Sequence, residues 1–217
     1  MKRIGIDING VLRDTIGKFT QLYEKYLIES DEDQYMGQTY EIDSSGNTEP
    51  IESQVTNFEY RVLSEVNSLD LMKHFSFNNK EELFNFMYEE YSMELFGHAP
   101  STEMNTFNIL NDIYFELREN NQLLLVSNEI GKSKPATLFF VSKFGCLLEK
   151  IFFFSEYTRK SMWYEVDILL TADPTLLLEK PKDKVVIKFI TNYNKEIKND
   201  FEITSLSEFG QIIKKIL

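Results

Sequence analysis

The sequence holds a single cysteine, Cys146. No disulfide can form within the chain, and a reducing, cytoplasmic setting is the expectation. Its two histidines, His74 and His98, stand alone. Neither has a cysteine or carboxylate at zinc spacing, so neither is assigned a metal role. Positive charge is scarce: 23 Lys and Arg face 35 Asp and Glu, a net charge of −12. Such a surface repels phosphate backbones and argues against non-specific nucleic-acid binding. A small anionic ligand stays admissible, because a few local cations and helix N-termini override the global field. No apolar run approaches the ~20 residues that span a bilayer. Asp7 and Asn9 interrupt the N-terminal apolar stretch, so no signal peptide and no membrane partner are expected.

What is present suits a folded chain. Hydrophobic residues make up 42% of 217, enough for one core, or for one domain with a large insertion. The first strand is expected over Lys2–Ile6, and a helix over Thr15–Ile28, with Ile16, Phe19, Leu22, Tyr23, Tyr26 and Leu27 at helical spacing. The acidic stretch from Ser30 to Gln54 reads as a loop. From about Thr56 to Asn120 the pattern is helical. One helix is marked by Phe58, Val62 and Val66. A second is capped by Asn79 with Glu82, and a third starts near Thr102 and buries Met104, Phe107, Leu110, Tyr114 and Leu117.

From Gln122 the period shortens. Leu123-Leu124-Leu125-Val126, Ile151–Phe154, Val166–Leu170 and Lys184–Phe189 read as strands covered on both faces. Ser133 is placed to cap a helix with Pro135 in its first turn. Ser205 and Glu208 form a capping box ahead of the apolar stripe Leu206, Phe209, Ile212, Ile213 and Ile216. The alternation implies a parallel α/β sheet with helices on both faces. Ligands bind such sheets beyond the carboxyl ends of their strands. Asp7, Ser127 and Asp173 all fall at or just past expected strand ends.

Asp7-Ile8-Asn9-Gly10-Val11-Leu12 resembles the first motif of the haloacid-dehalogenase (HAD) superfamily, an apolar strand followed by Asp-x-Asp-Gly-(Thr/Val). Leu123–Val126 followed by Ser127-Asn128 resembles the second. Lys160, or its neighbour Arg159, stands where the third places a lysine. Ile168-Leu169-Leu170 leading to Thr171-Ala172-Asp173-Pro174 stands where the fourth places an acidic pair. The resemblance implies a HAD-like, Rossmannoid core over residues 1–15 and 120–217, and a helical cap over 16–119. Within the superfamily the chain looks most like the 5'(3')-deoxyribonucleotidase type, of which small phage-encoded proteins are examples.

The resemblance also implies a chemistry. Asp7 would attack phosphorus and form an aspartyl-phosphate. Mg²⁺ would be held by Asp7, by the backbone carbonyl of Asn9 and by Asp173. Ser127, Asn128 and Lys160 would hold the phosphoryl oxygens of a nucleotide or other small phosphomonoester.

Two positions depart from the pattern. Asn9 stands where the second Asp serves as general acid and base, and an amide does neither. Such help is worth ~10²–10⁴ in rate, or roughly 3–5 kcal/mol of barrier. The acidic pair should fall at Thr171-Ala172, yet the acid is Asp173. Plainer roles exist beside these. Asn9-Gly10 is a favoured turn pair and Asp173 suits an Asx turn before Pro174. Ser127 can bond local backbone, and Lys160 can be a solvated charge that Arg159 or Lys134 replaces. Trp163, Phe152–Phe154 and the aromatic residues Phe84, Phe86, Tyr88 and Tyr91 read as packing. Two functions follow: a slow Mg²⁺-dependent phosphatase, or a HAD-fold protein without catalysis that binds a ligand or a partner chain.

Overall fold

A computed structural model describes residues 1–36 and 65–217. Six strands form one sheet in the order β3-β2-β1-β4-β5-β6, all parallel: β1 Lys2–Asp7, β2 Asn121–Asn128, β3 Ile151–Phe154, β4 Ile168–Thr171, β5 Val185–Phe189 and β6 Phe201–Ile203. The expected α/β class is therefore what is found. Parallel strands need crossovers, and two short helices missed in the sequence supply them. These are α5, Arg159–Glu165, between β3 and β4, and α6, Pro174–Leu178, between β4 and β5. Strand β6 also carries too few residues to show a period.

Alternate residues of the central strands feed opposite faces. Ile4, Ile6, Leu123, Leu125, Ile168, Leu170 and Ile187 pack under helices α3 (Thr106–Leu117), α4 (Ser133–Lys143) and α7 (Leu206–Ile216). Leu124, Val126, Leu169 and Val186 pack under Met162 and Trp163 of α5 and Leu176 and Leu177 of α6. Burying both faces of β1, β2, β4 and β5 explains their unbroken apolar runs. Strand β3 differs from expectation, since only Phe154 is buried in it, because it lies at the sheet edge.

Between β1 and β2 a second, largely aromatic cluster forms around Phe19, Tyr23, Phe75, Phe77, Phe86 and Phe96, touching the core through Ala136 of α4. Several of its rings meet edge-on, as Phe19 and Phe75 do at 4.6 Å between centroids. Helix α1 runs over Thr15–Met36, past the expected end and into the stretch read as a loop. Phe58 and Val62 lie outside the described residues, and Val66 is not helical. Asn79 does cap α2, Lys80–Asn85, accepting the Glu82 N–H at 2.9 Å. The chain then widens into two π-helical turns, Phe86–Glu90 and Met93–Gly97. Helix α3 starts later than expected, at Thr106, and Met104 is 97% exposed rather than buried. Ser133 is the first residue of α4, not its cap, and its hydroxyl closes the preceding turn on the Ile130 carbonyl at 2.7 Å. Ser205 and Glu208 do form the capping box of α7. No helix among the described residues is long and apolar enough to cross a membrane.

Candidate active site

The strand order reverses between β2-β1 and β4, the switch point at which doubly wound sheets open a crevice beyond their carboxyl ends. Asp7 ends β1 at that point and is 3% exposed. Its Oδ2 accepts the Thr171 hydroxyl of neighbouring β4 at 2.6 Å, and its Oδ1 the Asn9 N–H at 3.3 Å. Burial pushes the carboxyl up to about 8; the two hydrogen bonds oppose that rise and the charge of Asp173 adds to it.

Gly10 turns the chain with φ of +76°. A Cβ there would collide with the Tyr193 hydroxyl and stand 2.9 Å from the Ala172 Cβ, so residue 10 has both a conformational and a steric reason to be glycine. Tyr193 is held by its neighbour Asn194, whose buried amide donates to the carbonyls of Ala172 and Phe189, both at 2.9 Å. Gly10 and Tyr193 also line a cavity of about 470 Å³, with Asp14, Ile16, Thr102 and Phe189 in its wall.

Asn9 sits at the centre of a buried network that the sequence did not announce. Its Oδ1 accepts from Arg13 Nη2 at 2.6 Å, from Arg13 Nε at 3.3 Å and from the Thr15 hydroxyl at 2.8 Å. Its Nδ2 donates to the Ser127 hydroxyl at 3.2 Å and to Glu129 Oε1 at 3.4 Å. Arg13 is wholly buried and pairs with Glu129, itself 1% exposed. The guanidinium also donates to the Phe96 carbonyl at 2.6 Å and to the Thr137 hydroxyl at 2.7 Å, and lies over the rings of Phe96 and Phe140. Burial pulls the guanidinium down from its usual value, and Glu129 opposes that shift. Burial, and then Glu129, push nearby Tyr88 up to about 12. Arg13 thus ties the first loop to the aromatic cluster. The two connections run side by side there: Asp14 N–H bonds the Pro100 carbonyl and Thr102 N–H the Leu12 carbonyl.

The structure gathers Asp7, Asn9, Ser127 and Asp173 at one end of the sheet. Ser127 is fully buried and its hydroxyl donates to Glu129 Oε1 at 3.1 Å. Asn128 is exposed. Asp173 is half-buried and caps α6, its Oδ1 accepting the Thr175 N–H at 2.7 Å, so the Asx-turn role is realised. Lys160 lies exposed in the first turn of α5, and Arg159 pairs with Glu179 at 2.8 Å. Exposed Lys134 stands 6.0 Å from the centre of the Phe153 ring. Phe86 is packed in the aromatic cluster, Tyr88 and Tyr91 lie against it, and Phe84 is 42% exposed. His98 is exposed beside Phe139.

Arg13 and Glu129 were both missed. The signal for them was weak: a cation directly after apolar Val11-Leu12, and an acid directly after the second motif.

Among the described residues no three His, Cys, Asp or Glu side chains group as a metal site. The available donors are two carboxylates, Asp7 and Asp173, and the backbone carbonyl of Asn9. That set suits a hard ion that keeps most of its water and takes one or two protein carboxylates. It does not suit a metal needing nitrogen or sulfur. A cation would also relieve what burial and Asp173 impose on Asp7.

No protein-family model matches the chain, and no curated protein matches it. Solved structures do. A protein described as the HAD-hydrolase YfnB from Bacillus subtilis, bound to magnesium, aligns with 98% of each chain covered, at 15% identity and a TM-score of 0.54. A haloacid dehalogenase-like family hydrolase from Xanthomonas campestris aligns over 100% of this chain and 96% of its own, at 8% identity and a TM-score of 0.51. At such identities the likeness speaks for the fold. The chain has the HAD-like, Rossmannoid α/β fold.

Proposed function

We propose that this chain is a slow HAD-type phosphohydrolase that acts on a small phosphomonoester, a nucleotide first among them, and requires Mg²⁺. The observation that carries this is Asp7: a buried carboxylate at the switch point, on a glycine turn, with a second carboxylate beside it. An oxygen of Asp7 attacks phosphorus, the P–O bond to the leaving alkoxide breaks, and a phosphoaspartate forms. Water then attacks phosphorus and returns the Asp7 carboxylate. Asn9 can neither give the alkoxide its proton nor take one from that water, so solvent does both and turnover is slow. Ser127, Asn128 and Lys160 would meet the phosphoryl oxygens, for which the Ser127 hydroxyl must leave Glu129 and the exposed Lys160 side chain must fold in from solvent. Asp7, Asp173 and the backbone carbonyl of Asn9 would hold Mg²⁺, which when bound would supply positive charge against the Asp7 carboxylate and the phosphoryl group.

The segment between β1 and β2 that carries the aromatic cluster is proposed to act as a cap over this end. Helix α3, at the end of the 16–119 span, packs in the hydrophobic cluster of the sheet.

Turnover of p-nitrophenyl phosphate and of nucleoside monophosphates with Mg²⁺ tests the proposal, with Asp7→Asn as the control. Activity above that control is expected. A wild type as inert as Asp7→Asn across the whole panel would sink it.

A second reading, a HAD-fold protein that binds a ligand or partner without catalysis, is favoured by one feature. Thr171 stands where the fourth motif has an acid, and its hydroxyl occupies Asp7 Oδ2. Binding of a nucleotide that survives Asp7→Ala, with no turnover, would establish that reading.

A further inference from the structure

We infer that Glu129 is the residue that dictates an amide at position 9: the buried cluster accommodates one carboxylate, it is held at 129, and position 9 must therefore be neutral. Which end of the Asn9 amide faces which neighbour is settled by chemistry. Arg13 only donates, so the atom against it is oxygen. The atom facing Ser127 and Glu129 is then the NH₂ group, with Glu129 Oε1 at 3.4 Å.

An aspartate of the same shape would set a carboxylate oxygen at that distance from the Glu129 oxygen, with Glu129 sealed from water and position 9 half-buried. One guanidinium would face two carboxylates, and Asp7 with Asp173 stand nearby. Like charges so placed are strongly unfavourable. Glu129 Oε1 is also where the other donors end: Arg13 Nη2, the Ser127 hydroxyl at 3.1 Å and the Thr137 hydroxyl at 3.0 Å. The negative charge that Arg13 needs is therefore already supplied from the end of β2. Asn9 is the part that completes a neutral cluster, and Glu129 acts on it as a positioning residue.

The two positions should then exchange charge. Moving the carboxylate from 129 to 9, as Asn9→Asp with Glu129→Gln, keeps one anion against Arg13. The amide then placed at position 129 has an NH₂ group to offer the carboxylate at position 9. The test is a double-mutant cycle on the full chain by urea unfolding at neutral pH, with Asn9→Ser as a neutral control. It reads folding alone, so it fails or succeeds independently of any phosphatase turnover. Asn9→Asp is expected to lose far more stability than Asn9→Ser. The double variant is expected to fold with an equilibrium constant at least ~10-fold above what the two single losses predict, about 1.4 kcal/mol of coupling. Should Asn9→Asp fail to fold outright, recovery of a cooperative transition in the double variant is the same result. A double variant no better than the additive expectation overturns the inference, as does an Asn9→Ser loss equal to that of Asn9→Asp.

Discussion

Strands β1 and β4 lie side by side, and each of their two ends carries a buried or half-buried aspartate. At the amino end Asp167 meets Arg3, which donates through its backbone N–H at 2.9 Å and its side chain at 3.1 Å, and Lys184 at 3.3 Å. The Arg3 hydrogen bond dominates and holds the Asp167 carboxyl well below the usual range. At the carboxyl end Asp7 has a hydroxyl and one N–H, no cation in contact among the described residues, and Asp173 close by. Burial dominates there, and the carboxyl rises to about 8. One residue type on one pair of strands is driven in opposite directions, by charge pairing at one end and by desolvation at the other. The amino end has the chemistry of structural support. The carboxyl end holds an unfavourable charge arrangement that a cation would relieve, as functional sites do.

The largest effect should come from removing the buried cation at the carboxyl end. Arg13→Met leaves Glu129 buried and unpaired, and should cost about 3–5 kcal/mol, read as a lower urea midpoint. A loss under about 1 kcal/mol would mean that the pair is not sealed from water.

Next comes the pH dependence of Asp7. Its carboxyl is higher in the folded than in the unfolded chain, so the folded state binds more protons. Its contribution is full below about pH 4 and is lost as pH rises through about 8. Without divalent ions, stability should fall across that window, and Asp7→Asn should flatten the fall. Added Mg²⁺ should raise the wild-type melting temperature at the alkaline end and leave Asp7→Asn unmoved. Equal shifts in both proteins would place the ion elsewhere.

Gly10→Ala should cost about 1–3 kcal/mol, from the strained φ and from the displaced Tyr193, measured by thermal unfolding.

The smallest effect is at the amino end. Asp167→Asn should cost about 1 kcal/mol or less, because the pair is partly exposed. Its signature is in the pH profile. Asp167 is lower in the folded chain, so its contribution is present above about pH 4 and lost in acid, and the variant should lose that acid limb alone.

Much of this was legible beforehand. Strands β1, β2 and β5 announced themselves as apolar runs, because both faces of each are covered. Helix α7 did so through its capping box and stripe. Asp7, Ser127 and Asp173 could be placed at strand ends by counting. Asp173 turned out to cap a helix, and Lys160 to stand in solvent at the start of α5, because a strand end fixes where a backbone is and not where its side chain goes. The short helices α5 and α6 were missed because each has too few residues to show a period.

The sequence alone determined the α/β class and the line of motif residues along the carboxyl edge. Both rest on local periodicity and on the alternation of strand faces, which neighbouring residues dictate. Tertiary structure alone decided why position 9 is an amide. The reason is Glu129, 120 residues away in the chain and 3.4 Å away in space, paired to an arginine that only folding removes from water. Charges so far apart in sequence acquire their meaning when burial strips their solvent, and no reading of spacing can foresee that.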